Sequence, residues 1–395
     1  MLVRNIIRRP SESSHIAIRS AAHRWALVTR GYQRLSNSQH VLRPTRLLPN
    51  QLWTRIPTRA RCLFTSGLPS ILVPPVVFIS LLISLWTYKC LMTILFQDRI
   101  IYMPYMPPFA RSEKLETYAK VCKPVEWEEK RIRSLDGTKI SLATGNIPEE
   151  TATGSIDESR KDVVICYFQG NGSSTPPRLP LLSQVLKLVH TRKPHAVRFT
   201  LIALSYRGYW TSSGRASQKG IEQDAQAMLQ WVAKTHPSAD IVLWGQSVGA
   251  GVASTAAARY IQSAPARSLP IAGLIMETPF TSIKSMLFAL YPQKWLPYQY
   301  LHPFLWNIWD SEKALRKIAE AHVRRPKLLL MPATRDEVVP AEEIERLEGV
   351  CKDLRLECEK QNVVGALHTE ATTRREGQAS VANFLLDVVD KRHCR

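Results

Sequence analysis

The stretch Ile241–Ala258 reads IVLWGQSVGAGVASTAAA, and three short patterns meet within its eighteen residues. Ile241–Trp244 is an uninterrupted apolar run of the kind a strand shows when both its faces are covered. Ala250–Ala258 is rich in the strongest helix former. Between them stands Gly-Gln-Ser-Val-Gly, residues 245 to 249. A serine at the apex of a tight strand-to-helix turn is held in a strained backbone conformation, and neighbours without a Cβ, here Gly245 and Gly249, let strand and helix approach. The stretch is therefore expected to form a nucleophile elbow with Ser247 at its tip. A Gly-x-Ser-x-Gly match also arises by chance, so the surrounding chain has to agree.

With 395 residues, 45% of them apolar, the chain can bury one large domain and carry an extension besides. The net charge of +20 raises the question of nucleic acid until it is located. Residues 1 to 66 hold twelve arginines, no lysine and one acid, Glu12, so more than half of the excess sits there. The modest remainder is spread through acid-containing sequence, as on a solvated surface, and no nucleic-acid partner is expected. The seven cysteines are odd in number and form no CxxC pair, which points to neither a disulfide framework nor a zinc site.

The basic segment 1–66 interleaves arginines with apolar residues and serines, the composition of a mitochondrial transit peptide, and Arg61–Ser66 resembles a processing site. A basic arm held on the cytosolic face of a membrane would have the same composition, so the endoplasmic reticulum stays the alternative to the mitochondrial inner membrane. Ile71–Tyr88 is then free of charge, and the apolar character continues past Lys89 to Phe96. A membrane anchor over 71–97 is expected, its helix starting at about Pro75 or Val76 because of Pro74 and Pro75, with Trp86 and Tyr88 as interfacial aromatics. The alternative is an apolar helix packed on the body of the protein. The positive-inside tendency keeps the arginine-rich end in the matrix or cytosol.

Pro104, Pro107 and Pro108 mark 98–123 as a connector, and a domain over 124–395 follows. There strand patterns alternate with helical ones: strands at 125–133, 138–142, 163–168, 199–204, 241–244, 271–276, 327–331 and 354–363, with helices between the later ones and a last helix over 373–389. Such alternation predicts an α/β fold, a largely parallel central sheet with helices on both faces.

Several stretches now carry a resemblance: QGNGSS (Gln169–Ser174), SYRGYWTSSGRASQKGIEQDAQAML (Ser205–Leu229), GQSVGAGVA (Gly245–Ala253), ETPFTSI (Glu277–Ile283), RDEVVP (Arg335–Pro340) and LHTEA (Leu367–Ala371). In this order they resemble the α/β-hydrolase superfamily, most closely its membrane-anchored abhydrolase-domain branch in eukaryotes, over about Gln97 to Lys391. The resemblance implies the α/β-hydrolase fold with a short helical cap, here at about 279–322, a serine hydrolase mechanism, and esters, thioesters or lipids as substrates.

Chemistry asks for the same parts. A serine hydroxyl needs a histidine to take its proton, and the histidine needs a carboxylate to fix its tautomer and stabilise the imidazolium. In this fold they follow in the order serine, acid, histidine. Of ten histidines, His368 and His393 meet that order with an acid between, and His368 stands after a predicted strand end, where catalytic loops emerge; an exposed loop histidine is the alternative. Asp336 follows the strand 327–331 in a turn-forming stretch, and the resemblance puts the acid there; a charge at the start of the helix near Ala341 is the other reading. Glu337 is adjacent and is expected to point elsewhere. An oxyanion needs two N–H donors: Val248, after the nucleophile, and, by its place in the motif, Asn171. Gln169 stands where the superfamily usually has histidine, and its amide can imitate that support. Arg207 and Tyr206 hold a loop at a neighbouring strand end or meet substrate.

From Phe280 to Trp309 nine of thirty residues are aromatic, against 8% overall. Beside a membrane anchor this enrichment points to a lipophilic or acyl substrate, although for Trp295, Trp306 and Trp309 taken singly, packing the cap onto the sheet is the better reading. The expected protein is a membrane-anchored serine hydrolase using Ser247, Asp336 and His368, with no metal and no organic cofactor. A prolyl-oligopeptidase-type peptidase and a catalytically silent scaffold with the same fold are the alternatives.

Overall fold

The computed structural model of the protein describes residues 69–148, 160–193, 197–263, 269–294, 296–322 and 324–390. The basic segment 1–66, Trp295 and His393 lie outside them. The chain enters as a helix, α1 (Val73–Leu95). Pro74 and Pro75 sit inside its first turn, so it begins earlier than their presence predicts: there a missing N–H costs nothing, because first-turn N–H groups have no intrahelical acceptor. The helix is long and apolar enough to cross a membrane, and its apolar window is not buried by the rest of the chain. Phe78 and Leu81 are more than 60% exposed, so this part of the helix does not pack on the protein body.

A connector is expected over 98–123, yet these residues fold into the body. They form α2 (Gln97–Tyr102) and α3 (Leu115–Cys122), and Tyr102 and Cys122 are completely buried. The prolines prevent one long helix without preventing two short ones.

The body is an eight-stranded sheet in the order β1-β2-β4-β3-β5-β6-β7-β8. β1 (Glu126–Arg133) and β2 (Lys139–Asn146) form an antiparallel hairpin, and β2 runs antiparallel to β4 (Val197–Ser205). β3 (Lys161–Phe168), β4, β5 (Asp240–Gln246), β6 (Ile271–Glu277), β7 (Lys327–Met331) and β8 (Cys358–Lys360) are parallel to one another. Between and after them lie α4 (Leu179–Arg192), α5 (Gln218–Thr235), α6 (Val248–Ser263), α7 (Ile283–Leu290), α8 (Ser311–Glu320), α9 (Ala341–Asp353) and α10 (Arg375–Asp390). Each face of the sheet carries its own apolar layer. One gathers Leu243, Ile202, Leu229 and Ala253, the other Trp244, Ile165, Leu182 and Leu385. Covering both faces is what the uninterrupted apolar strands require.

Two expected elements differ. A strand over 354–363 is realised as β8 over only three residues, because α9 runs on to Asp353 and Arg355 turns the chain at φ 52°. Pairing resumes at Val363, which bridges Ala333. The cap is shorter than 279–322: α8 belongs to the body, its Leu315 and Ile318 fully buried in the layer that contains α6. The cap proper is α7 and the 3-10 helix Pro297–Phe304.

Candidate active site

Ser247 sits between β5 and α6 at φ 53°, a left-handed conformation that costs a residue with a side chain about 1–3 kcal/mol. Its N–H donates to the Glu277 carbonyl at 2.8 Å, tying the elbow to the end of β6. The flanking glycines are obligatory by distance. A Cβ on Gly245 would lie 2.1 Å from the Gly249 carbonyl oxygen, and one on Gly249 would lie 2.1 Å from that of Phe168. Strand, helix and the end of β3 therefore converge where no side chain fits.

His368 Nε2 lies 2.8 Å from Ser247 Oγ. Its Nδ1 lies 3.0 and 2.9 Å from the two Asp336 carboxylate oxygens. Both Ser247 and His368 are buried, with 8% and 6% exposure, so little water competes for these contacts. With the ring proton on Nδ1, facing the carboxylate, Nε2 presents a lone pair to the serine hydroxyl. Burial works against the Asp336 charge. Hydrogen bonds from the His368 ring and the Val339 N–H, the charge of the ring, and the Val338 N–H together prevail and hold its pKa below the usual carboxylate value. Asp336 does not cap α9, whose N-cap residue is Pro340.

The two loops carrying these groups are joined. Thr334 N–H donates to Val363 O at 3.1 Å and Arg335 N–H to Ala366 O at 3.0 Å. Glu337, adjacent to the acid, turns back to accept the His368 N–H at 2.9 Å.

On the other side of the serine lies the loop after β3. A Cβ on Gly170 would be 3.5 Å from Ser247 Cβ, so this loop passes directly beside the nucleophile. The N–H groups of Gly172 and Ser173 donate to Tyr102 O at 2.8 Å and Met106 O at 2.5 Å. Asn171, exposed between Gly170 and Gly172, donates its N–H to no acceptor among the described residues. Val248, the first residue of α6, has an N–H without an intrahelical partner, at the positive end of the helix dipole. The Gln169 carbonyl accepts from Tyr206 Oη at 2.8 Å, and its amide oxygen accepts from Thr175 Oγ1 at 3.2 Å. The amide thus supports the loop from within, as expected of a stand-in for histidine. Arg207 has a holding role: it lies between Asp224 and Asp136, 2.7 Å from each.

Sequence reasoning passed over Glu277. It is completely buried beneath the elbow. Its carboxylate accepts from Thr372 Oγ1 at 2.8 Å, Thr372 N–H at 3.2 Å, Trp244 Nε1 at 3.1 Å and Gln246 Nε2 at 3.3 Å. Burial pushes its pKa up, against the hydrogen bonds from Thr372 and Trp244 and the charge of Arg178. Glu277 links the strand that ends in Ser247 to the segment that follows His368. An acid at the end of an apolar strand was the available signal, but only the three-dimensional arrangement supplies its four donors.

A cavity of about 750 Å³ at the β1 edge, lined by Trp127 and Trp210, includes none of these residues, whereas one of about 300 Å³ is lined by Thr334, Asp336 and Val339. Among the described residues, no group of three His, Cys, Asp or Glu side chains could hold a metal ion.

Comparison with known proteins agrees with the architecture. The alpha/beta hydrolase fold family model matches residues 164–319. The protein Bem46 of Schizosaccharomyces pombe is 30% identical over 259 residues, 65% of this chain and 75% of its own length. Lysophosphatidylserine lipase ABHD12 of Danio rerio is 30% identical over 185 residues, 45% of this chain, and the match spans only 44% of that lipase. A crystal structure of an alpha-beta hydrolase from Vibrio vulnificus superposes with a TM-score of 0.51 at 17% identity, covering 75% of this chain and 92% of that one, and shows the shared fold. Eight strands in hydrolase order, a sharp elbow and a relative matched over three quarters of its length lead to one conclusion: the chain belongs to the α/β-hydrolase family, with Bem46 among its relatives.

Proposed function

We propose that the protein is a membrane-anchored serine hydrolase that cleaves a carboxylic ester or thioester of a lipophilic acyl substrate. The observation that carries this reading is the unbroken hydrogen-bonded run from Asp336 through His368 to Ser247 at the tip of the elbow. Ser247 Oγ attacks the acyl carbon while His368 Nε2 takes its proton, and Asp336 stabilises the imidazolium so formed. The carbonyl oxygen becomes an oxyanion that the N–H groups of Val248 and Asn171 receive. The imidazolium then gives its proton to the leaving alcohol or thiol, and the acyl group stays on Ser247 until water, activated by the same histidine, releases it. The aromatic cap and the named activity of the ABHD12 relatives on a lysophospholipid both favour an amphiphilic acyl ester. The basic N-terminal segment and α1 together favour the mitochondrial inner membrane, with the endoplasmic reticulum as the competing address. A reporter fused to residues 1–66 decides between them, and a reticular signal overturns the mitochondrial reading.

The catalytic reading is tested with a fluorophosphonate probe on the full chain. Labelling of the wild type and its complete loss in Ser247→Ala are expected. A wild type that does not label, although folded, overturns the mechanism in favour of a silent scaffold.

A further inference from the structure

The anchor does not end beside the body but is fastened into its cap. Gln97, two residues beyond α1, is 5% exposed. Its side-chain oxygen accepts the Trp306 N–H at 3.1 Å and its amide donates to Phe304 O at 3.1 Å. Asp98 accepts from Trp306 Nε1 at 3.0 Å and from Asn307 Nδ2 at 2.6 Å. One step further into the helix, the Lys89 ammonium lies 5.4 Å from the centre of the Tyr298 ring.

These contacts fix the depth of the cap. A hydrocarbon core about 30 Å thick takes about twenty helical residues, and α1 has 23. Lys89 precedes the last residue of α1, Leu95, by six positions, about 9 Å along the axis. Whichever twenty residues occupy the core, Lys89 stands within about two turns of its edge. The 3-10 helix Pro297–Phe304, seated on Lys89 through Tyr298, is therefore at the boundary between acyl chains and headgroups.

The outward surface of the cap has the composition of such a boundary. Tyr300, Phe304 and Trp306 are 64%, 57% and 48% exposed. From 279 to 309 the chain carries Lys284 and Lys294 and not one acid, so aromatics and positive charge occur together, as in interfacial segments on anionic lipid. Exposed apolar residues also lie in the segment between the anchor and the loop beside Ser247, at Tyr105, Met106 and Phe109. Tyr105 Oη donates to Arg99 O at 3.3 Å, next to the Asp98 fastening. Phe109, in the same segment, is 85% exposed, and Met106 between them accepts the Ser173 N–H of the loop beside Ser247. Scattered exposed apolar residues need no explanation, but a set of them between a membrane anchor and the loop beside Ser247 does.

We propose that the cap and residues 103–109 form a docking face for the lipid surface of the bilayer that α1 crosses, seating the mouth of the Ser247 site on the headgroup layer. The entry of an amphiphilic ester directly from that layer rests on the hydrolase reading above; the docking does not.

The test uses the full chain in lipid nanodiscs of phosphatidylcholine with phosphatidylserine. An environment-sensitive fluorophore is attached at Tyr300→Cys, at Phe109→Cys and, as an exposed reference near the C-terminal end of α9, at Lys352→Cys, with the wild type treated identically as the blank. Lipids bearing a nitroxide near the top of the acyl chain are expected to quench positions 300 and 109 at least about threefold more than position 352, and more than lipids with the nitroxide at the chain end, as interfacial depth requires. Quenching at 300 and 109 no stronger than at 352 overturns the proposal, whether the face is then bare, covered by another protein, or paired with a second copy and self-quenched. Fluorophosphonate labelling of the same samples separates the two readings. Labelling without quenching removes only the docking, and quenching without labelling removes only the hydrolase.

Discussion

On the hydrolase reading His368 serves Ser247 only while its loop is held, and three carboxylates hold that loop at three points. Asp336 takes the ring, Glu337 the main-chain N–H, and Glu277 the N–H and hydroxyl of Thr372 four residues later. Glu277 is the most demanding of the three, because both its oxygens face donors in a dry environment. Glu277→Gln replaces one oxygen with an NH₂ group and sets donor against donor, leaving buried groups unpaired at about 1–3 kcal/mol each. The expected outcome is a lower melting temperature together with fluorophosphonate labelling at least about tenfold slower, since a small displacement of a catalytic group costs that much or more. Stopped labelling series on wild type and variant, each well below its melting point, check it; unchanged labelling in a destabilised variant would show that Glu277 supports the fold alone. Asp136 gives a pH signature. Its hydrogen bond with Arg207 holds its pKa well below the usual carboxylate range. A depressed folded pKa means that the pairing stabilises the protein fully above the unfolded value near 3.9 and is lost as pH falls through the folded one. The melting-temperature gap between wild type and Asp136→Asn should therefore be constant from neutral pH down to about 5 and close below about 4.

The elbow shows what an element demands of its residues, and two glycines in helices make the contrast. Gly249 in the first turn of α6 has the Phe168 carbonyl where its Cβ would be, whereas nothing lies within 4 Å of a Cβ on Gly349 in α9. Gly249→Ala is expected to prevent folding, because a 2.1 Å contact to backbone has no flexible neighbour to yield. Gly349→Ala should raise stability by about 1 kcal/mol, the helix-propensity difference; circular dichroism melts of both variants decide. Elements of this kind were legible because their signals are local: an apolar run, a turn, a periodic helix. Ser247 and His368 could be named from chain order and loop position, and Asp336 with the help of the resemblance; the structure brings the three side chains within hydrogen-bonding distance. Glu277 could not be so named, since its meaning lies in donors from β5 and from the segment before α10. The strand pattern over 354–363 overshoots the observed β8 for a similar reason. Apolar residues at Leu354 and Leu356 serve the end of α9 and its turn, and a pattern does not say which neighbour it feeds. Residues 98–123 read as a connector because proline spacing reports the breaks in a helix but not what the pieces pack against.

At the scale of the whole molecule, that last segment decides where the hydrolase body begins. Tyr102 is fully buried. Its hydroxyl donates to Asn307 Oδ1 at 2.7 Å and accepts from Trp309 Nε1 at 2.8 Å, and its carbonyl accepts the Gly172 N–H at 2.8 Å and the Tyr209 hydroxyl. One residue thus joins the anchor side, the segment that follows the cap, the loop beside Ser247 and the end of β4. Deleting a buried aromatic side chain costs about 3–5 kcal/mol, and the orphaned Asn307, Trp309 and Gly172 groups add about 1–3 kcal/mol apiece. Against a typical total stability of about 5–15 kcal/mol, the loss is of the same size as the whole. A chain begun at 124, where the sequence pattern places the domain, should accordingly fail to give a cooperative melt. One begun at 97 should unfold cooperatively and, on the catalytic reading, still label at Ser247. Circular dichroism melts of the two truncations, run beside fluorophosphonate labelling, check the boundary; a cooperative melt from the shorter chain would mean that the anchor segment rests on the body without helping to build it.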